Sequence, residues 1–368
     1  MMISRAALAI ACALLPLSGS AKPTPPDPYS NSFDVQKLAD GVYALVRNYP
    51  VGLMVDGNSV FIVNDDDVVV VDAPEASQDM IAALRKITPK PVRYVINTHW
   101  HDDHITGNHV YRDAFPGVSF IGHRSLRDYL PTTGLANRKE MIEGAPKFAA
   151  QERDFLAHNK SFAGGELTAE ERAAYASDAR LVDRYMAEVP GAPIILPDIA
   201  IDDRITLFRG NRTIEILHLP GHTAGDLVVN LPAERIAITG DLVVWPVPLI
   251  GDPQSHIAEW AKSLKALRAL HASVSVPGHG PVLRGDSYLA LMEELMTDVS
   301  TRVAAAVSRG ETLDQTRKDV DFKSFRRRFA GESKWLGFIF DNYVTGPSVD
   351  AAFHEMSAAK GAAAPGKP

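Results

Sequence analysis

The hexapeptide His99-Trp100-His101-Asp102-Asp103-His104 follows the apolar run VRYVIN at 92–97 after a single threonine, Thr98. A chain with 12 histidines places three of them within these six residues. Imidazoles and carboxylates crowded in this way must lose water, and their like charges repel, unless a cation holds them together. The fold must therefore open several strand ends on one side, where open sheets place their ligands. It must also bring a second set of donors to the same place.

That second set follows in order. LPGHTAGD places His222 after the run RTIEILHL, AITGD places Asp241 after the next strand pair, and VPGHG places His279 after another. Glycines beside these residues let backbone approach a crowded centre. In an extended loop, residues two apart point the same way, so His99 and His101 address one point. Asp103 and His104 come next and turn toward a second. Five imidazoles and two carboxylates suit two borderline metal ions, zinc above all, with iron or manganese also accepted by such donors. GDLVV occurs at 225–229 and again at 240–244, which makes Asp226 a rival to Asp241. Asp226 precedes its strand and reads as a turn or capping group. Asp241 follows one and is the preferred ligand.

Elsewhere GVYALVR, NSVFIVN and VVVVDAP (42–74) read as strands, and SQDMIAALRKI (77–87) as an amphipathic helix capped by Ser77. A short helix over about 106–114, the strand VSFIG (118–122) and a helix over 124–130 follow. Residues 136–190 are charged, alanine-rich and helical in period, with a capping box at TAEE (168–171). They read as a helical hairpin inserted between two αβ segments, shaping access to the site or serving as a packing element. Strands resume with ITLFRG, RTIEILHL, LVVNLP and RIAITGD, and a helix over 256–270 precedes VSVPGHGPV. Helices fill 286–358, with a capping signal at TLDQ (312–315), and 359–368 reads as a disordered tail. Strands in pairs and then alternating with helices, twice over, predict an α/β fold, an αββα sandwich spanning 33–285 with a helical insertion and a helical C-terminal extension.

The N-terminus carries Arg5, an apolar stretch over 6–17, and small residues Gly19 and Ala21 before a cleavage point. This predicts a signal peptide over 1–21, a Pro/Ser-rich linker over 22–32, and a periplasmic or secreted protein. Cys12 is the only cysteine of the 368 residues and lies in that signal, so disulfides and thiolate ligands are excluded from the mature chain. LAIAC fits a lipidation site poorly. No other run is long and apolar enough to span a membrane. The formal charge of −7 disfavours a nucleic-acid partner, the basic FRRRF at 325–329 notwithstanding. A small-molecule substrate is expected.

The motifs HWHDDH, PGHT, TGD and PGHG, in this order, resemble the metallo-β-lactamase superfamily over roughly 40–285. The resemblance implies one metal held by His99, His101 and His222 and a second held by Asp103, His104 and His279. Asp241 would bridge both together with a hydroxide, and Asp103 would orient that hydroxide as catalytic residue while also a ligand. The bridging aspartate is similar to that of glyoxalase II and the lactonases rather than to the histidine-only lactamases. Asp72 sits where the family has an aspartate behind a metal histidine, although the local pattern is DAP instead of DTG.

The resemblance, with the signal peptide read from the N-terminus, implies an exported binuclear zinc hydrolase in which hydroxide attacks the carbonyl of an ester, lactone, thioester or β-lactam. Phosphodiester hydrolysis and a non-enzymatic metal-binding module are the alternatives. His123 at a strand end is either a substrate contact or a satisfied peripheral histidine. Trp100 is expected to pack beneath the metal loop. NYPVGLMVDG (48–57) is either a flap or a hairpin packed on the body, and WPVPLIG (245–251) is a second wall. His109, His158, His218, His256, His271 and His354 read as structural or surface residues.

Overall fold

The computed structural model describes residues 33–363 apart from 163, 252 and 253, with side chains as far as 358. The predicted signal peptide, the linker and residues 364–368 lie outside the described residues. The first sheet holds β1 (Phe33–Ala39), β2 (Val42–Arg47), β3 (Ser59–Val63), β4 (Val68–Val71), β5 (Val92–Ile96), β6 (Ser119–His123) and β7 (Ile199–Ile201), in that spatial order. Strands β1 to β4 form an antiparallel meander, and β4 to β7 run parallel. The second sheet holds β8 (Arg204–Arg209), β9 (Arg212–His218), β10 (Leu227–Leu231), β11 (Ile236–Val244), β12 (Val274–His279) and β13 (Leu283–Arg284). Only its β11–β12 pair is parallel.

The two-residue period of each strand builds the layers. Val42, Ala44 and Val46 of β2, with Val69 and Val71 of β4, face Ile214, Ile216, Val229 and Ile238 of the other sheet in one dry core. The intervening Leu45, Val68 and Val70 point outward and are covered by Met80, Ile81 and Leu84 of α1 (Ser77–Ile87). The outer face of the second sheet is covered by α7 (Ile257–Arg268) and α8 (Ser287–Arg309). This is the expected αββα sandwich. Short helices α2 (Asp102–Ile105) and α3 (Asn108–Ala114) connect β5 to β6, and α4 (Leu126–Tyr129) follows β6.

The insertion is a helical hairpin, α5 (Leu135–His158) and α6 (Ala169–Glu188), and α6 opens on the predicted Thr168–Glu171 capping box. The C-terminal extension continues from α8 through α9 (Leu313–Asp319), α10 (Lys323–Ala330), α11 (Lys334–Phe340) and α12 (Gly346–Ala363). The Thr312–Gln315 box caps α9. Helix α12 runs through 359–363, into the stretch predicted as tail.

Three local expectations are corrected. Ser77 is the first residue of α1, not its cap: Ala76 takes that place with φ 61°, its N–H donating to Glu188 Oε2 at 2.7 Å, and the Ser77 hydroxyl donates to Pro74 O at 2.7 Å. The metal-loop motif is not extended throughout, since α2 begins at Asp102. Strand β1, whose exposed edge alternates weakly, and the three-residue β7 were not foreseen.

Candidate metal centre

All seven predicted ligands meet at one end of the sandwich. Four of them, His99, His101, His222 and Asp241, offer ligand atoms to one point, and Asp103, His104 and His279 offer theirs to a second. His101 Nδ1 lies 3.0 Å from both His99 Nε2 and His222 Nε2. His279 Nε2 lies 3.4 Å from His104 Nε2 and 3.2 Å from Asp103 Oδ2. Asp241 stands between the groups, 3.2 Å from His104 and from His279 and 3.5 Å from His222.

The outward ring nitrogens explain why the inward ones are free to bind a cation. His222 Nδ1 donates to Leu249 O at 2.8 Å, and His279 Nδ1 faces Asp56 O at 3.2 Å. His104 Nδ1 donates to Asp72 Oδ2 at 2.8 Å. The Thr98 hydroxyl donates to Asp72 Oδ2 at 2.8 Å and so accepts from His99 Nδ1 at 3.1 Å. Each of these protons sits on the outer nitrogen, so the inner nitrogens present lone pairs to one another. Asp103 Oδ2 and Asp241 Oδ1 are buried without a hydrogen-bond partner. Lone pairs and unpartnered carboxylate oxygens converging in a dry site fit divalent cations.

The charge balance agrees. Burial, with His222 beside it, pushes His101 down to about 3, and burial holds His99 well below its usual value. Burial also opposes a charge on His104, but Asp103, Asp241 and Asp72 outweigh it and raise that histidine well above its usual range. The carboxylates thus demand positive charge, which two cations supply without protonating a ligand.

Local backbone makes the convergence geometrically feasible. Asp241 does not follow β11 as expected but lies within it, at a register irregularity after Gly240. Gly240 has φ 48°, and a Cβ there would collide with Thr98. A Cβ on Gly278 would stand 1.8 Å from Asp241 Oδ1. Asp72, at φ 59°, accepts the Thr98 N–H at 2.7 Å and so orients the start of the metal loop as well as His104.

The other predicted residues separate cleanly. Asp226 accepts the N–H and hydroxyl of Thr223 at 2.9 and 2.5 Å, as a turn group, and joins no ligand cluster. His123 bonds Ser125 and stacks on His218 at 3.9 Å, which is the peripheral role. Trp100 packs with Ile105, Leu126 and Leu130 while its ring edge meets His101. His109, His158 and His218 each bond a backbone carbonyl.

The 48–57 segment is packed on the body, not a free flap. Leu53 and Met54 N–H groups donate to Asp178 of α6 at 2.7 and 3.2 Å. Trp335 and Tyr343 donate to Val51 O and Leu53 O, each at 2.7 Å. Buried Arg47 pairs with Asp56 at the base of the segment.

Sequence reasoning missed two contributors. Tyr49 Oη lies 3.3 Å from His279 Nδ1. Asp102, inside the motif yet not a ligand, accepts from Arg138 Nε and Nη2 of α5 at 2.9 and 2.5 Å and from Tyr185 Oη of α6 at 2.9 Å. An acid in the motif with no ligand role was the signal for that joint, but its partners lie 36 and 83 residues away.

Two cavities open on the centre, one on each side of Val55. One, of about 340 Å³, exposes His101 and Asp103 and is walled by Met54, Asn137, Met141 and Tyr185. The other, of about 320 Å³, exposes His279 and is walled by Tyr49, Trp245 and Leu249 among others. WPVPLIG thus forms the predicted second wall, and the hairpin lines the first cavity.

Residues 54–279 match the family profile of the metallo-beta-lactamase superfamily. A linear primary-alkylsulfatase of Pseudomonas sp. is 24% identical over 272 residues, covering 68% of this chain and 47% of that protein. An acyl-coenzyme A thioesterase of Gallus gallus is 26% identical over 186 residues, covering 43% of this chain and 65% of that protein. The chain therefore spans from about half to just under two thirds of the length of these relatives. The solved stereoselective inverting sec-alkylsulfatase Pisa1 from Pseudomonas sp. shares the fold with a TM-score of 0.59 at 14% identity, covering 88% of this chain and 50% of that one. Both the profile match and the ordered His/Asp cluster lead to one conclusion: this chain belongs to the metallo-beta-lactamase superfamily of hydrolases.

Proposed function

We propose that this chain is an exported, binuclear zinc-dependent hydrolase in which hydroxide adds to the carbonyl carbon of an ester, lactone, thioester or β-lactam and the acyl bond to the leaving oxygen, sulfur or nitrogen breaks. The observation that carries this reading is the pair of donor groups sharing Asp241, with the outer nitrogens of His99, His104, His222 and His279 already engaged. His99, His101 and His222 would hold one ion, Asp103, His104 and His279 the other, and Asp241 both. When bound, two zinc ions would supply hydroxide at neutral pH and polarise the bond under attack. The chain's own contribution is placement and exclusion of bulk water. Asp103, whose Oδ2 has no hydrogen-bond partner beside a cavity, would orient the nucleophile and accept its proton. Thr98 and Asp72 hold His99 and His104 in the ligating tautomer.

A second reading is hydrolysis of an alkyl sulfate ester. It is favoured by the alkylsulfatase relative and by a fold likeness that reaches beyond the 54–279 domain into the helical additions. The test is a panel on metal-analysed protein: a penicillin, a carbapenem, a homoserine lactone, a glutathione thioester, a p-nitrophenyl ester, an alkyl sulfate and a bis-aryl phosphodiester. Turnover of a carbonyl substrate with two zinc ions per chain supports the leading reading. Turnover of the sulfate alone replaces it, and metal analysis returning one ion or iron overturns the binuclear zinc assignment. Export is tested by N-terminal sequencing of protein from the periplasmic fraction, with Lys22 expected first.

A further inference from the structure

The cavity beside His279 has no part in holding the metals, yet it opens on a ligand. Most of its wall is apolar, Val51 and Val55 from the pinned 48–57 segment, Trp245, Val247 and Leu249 from the segment after β11, and Ile339 from α11, while Gln36, Asn48 and Tyr49 add polar groups. At about 320 Å³ it falls in the range of small-molecule sites, and the apolar lining gains from receiving hydrocarbon. Among the described residues, no lysine lines either cavity, and the one arginine, Arg47, is paired with Asp56. The acids that do line them are Asp34 on one side and Asp102 and Asp103 on the other. Asp102 is paired with Arg138 and Asp103 would be held by a metal ion, so Asp34 is the lining acid without such a partner. A carboxylate at the far end of a substrate in the cavity beside His279 would meet no free side-chain cation and would face Asp34.

We propose that this cavity is an acyl-chain pocket, and that the substrate is a neutral ester, lactone or thioester with an unbranched apolar chain. This rests on the carbonyl reading above and narrows it against β-lactams that carry a carboxylate. The chain would lie between Val55 and Trp245, with the reacting carbonyl at the metal centre. Any neutral polar remainder would lie toward Asn137, Gln254 and Tyr185 in the other cavity.

The experiment uses the metal-loaded protein and p-nitrophenyl esters from acetate to dodecanoate, with an ω-carboxylate ester of matched length. The expected kcat/KM rises about fourfold per methylene, from about 0.8 kcal/mol each, until the pocket fills. The ω-carboxylate ester should fall at least tenfold below its neutral match, and Val55→Trp should flatten the series. A flat wild-type series, or a preference for the carboxylate, overturns the pocket while leaving the carbonyl reading intact. If no ester is cleaved, the wider panel above decides the carbonyl reading and binding decides the pocket. n-Alkanols from butanol to decanol are then titrated against tryptophan fluorescence, with Trp245→Phe as control. Affinity that grows with chain length and a signal lost in Trp245→Phe uphold it. No binding, or a signal unchanged in that variant, overturns it.

Discussion

At the scale of single residues, the centre depends on side chains and on their absence. Asp241→Asn keeps the shape of the side chain but removes the charge that would draw two cations together. We expect at least a tenfold loss of activity and close to one metal per chain, read by kinetics and metal analysis. Unchanged stoichiometry would show that Asp241 is not shared. Gly278→Ala tests the same residue from outside. A methyl 1.8 Å from Asp241 Oδ1 must displace that carboxylate, since β12 is buried on every side. Metal content should fall while the circular dichroism of the fold persists; full metal content in this variant would contradict the packing argument.

At the scale of elements, the inserted hairpin is joined to the metal loop and to the 48–57 wall by buried polar contacts. Asp102→Ala removes the acceptor of both Arg138 and Tyr185 and leaves the guanidinium buried with only Ala192 O. A destabilisation of about 3 kcal/mol is expected from orphaning a buried charge, measured by urea unfolding; a loss under a third of that would mean the joint is energetically idle. The hairpin cannot simply be excised, because Tyr175 of α6 is buried and its ring meets Trp335 of the C-terminal helices.

Glu152 of α5 and Asp178 of α6 form a second joint. Burial, and then each other's charge, push Glu152 up to about 10, and burial pushes Asp178 up to about 7. Raised carboxyl values mean the folded state prefers the protonated acids. That stability is complete below the unfolded values near about 4 and is lost as pH climbs through 7 toward 10. Glu152→Gln should therefore flatten the decline in thermal midpoint between pH 6 and 9. An identical slope in the variant would rule the pair out as its source.

For the whole molecule, the donor cluster sits between two sheets, so cations would tie β5, β9, β11 and β12 together. Chelation is expected to lower the thermal midpoint. The lost stabilisation is on the order of 4 kcal/mol where free metal stood a thousandfold above its dissociation constant. Scanning calorimetry with and without chelator checks this, and coincident transitions would mean the cluster contributes nothing to the fold.

The amino-acid sequence by itself determined the layers and the identities of the candidate donors. Continuous apolar runs such as VVVV at 68–71 can bury both faces only between a second sheet and a helix, and four short motifs carry seven donors at strand ends or within a strand. These are local patterns, and period and residue type are enough to read them. Tertiary structure alone decided what surrounds them. Arg138 and Tyr185 reach Asp102, Asp178 pins Leu53, and Tyr49 meets His279 across separations of 36 to 230 residues. The cavities on either side of Val55 arise from segments near residues 50, 140, 250 and 340 brought together. No local period encodes such contacts, because burial and charge pairing between distant segments exist only once the sheets have packed.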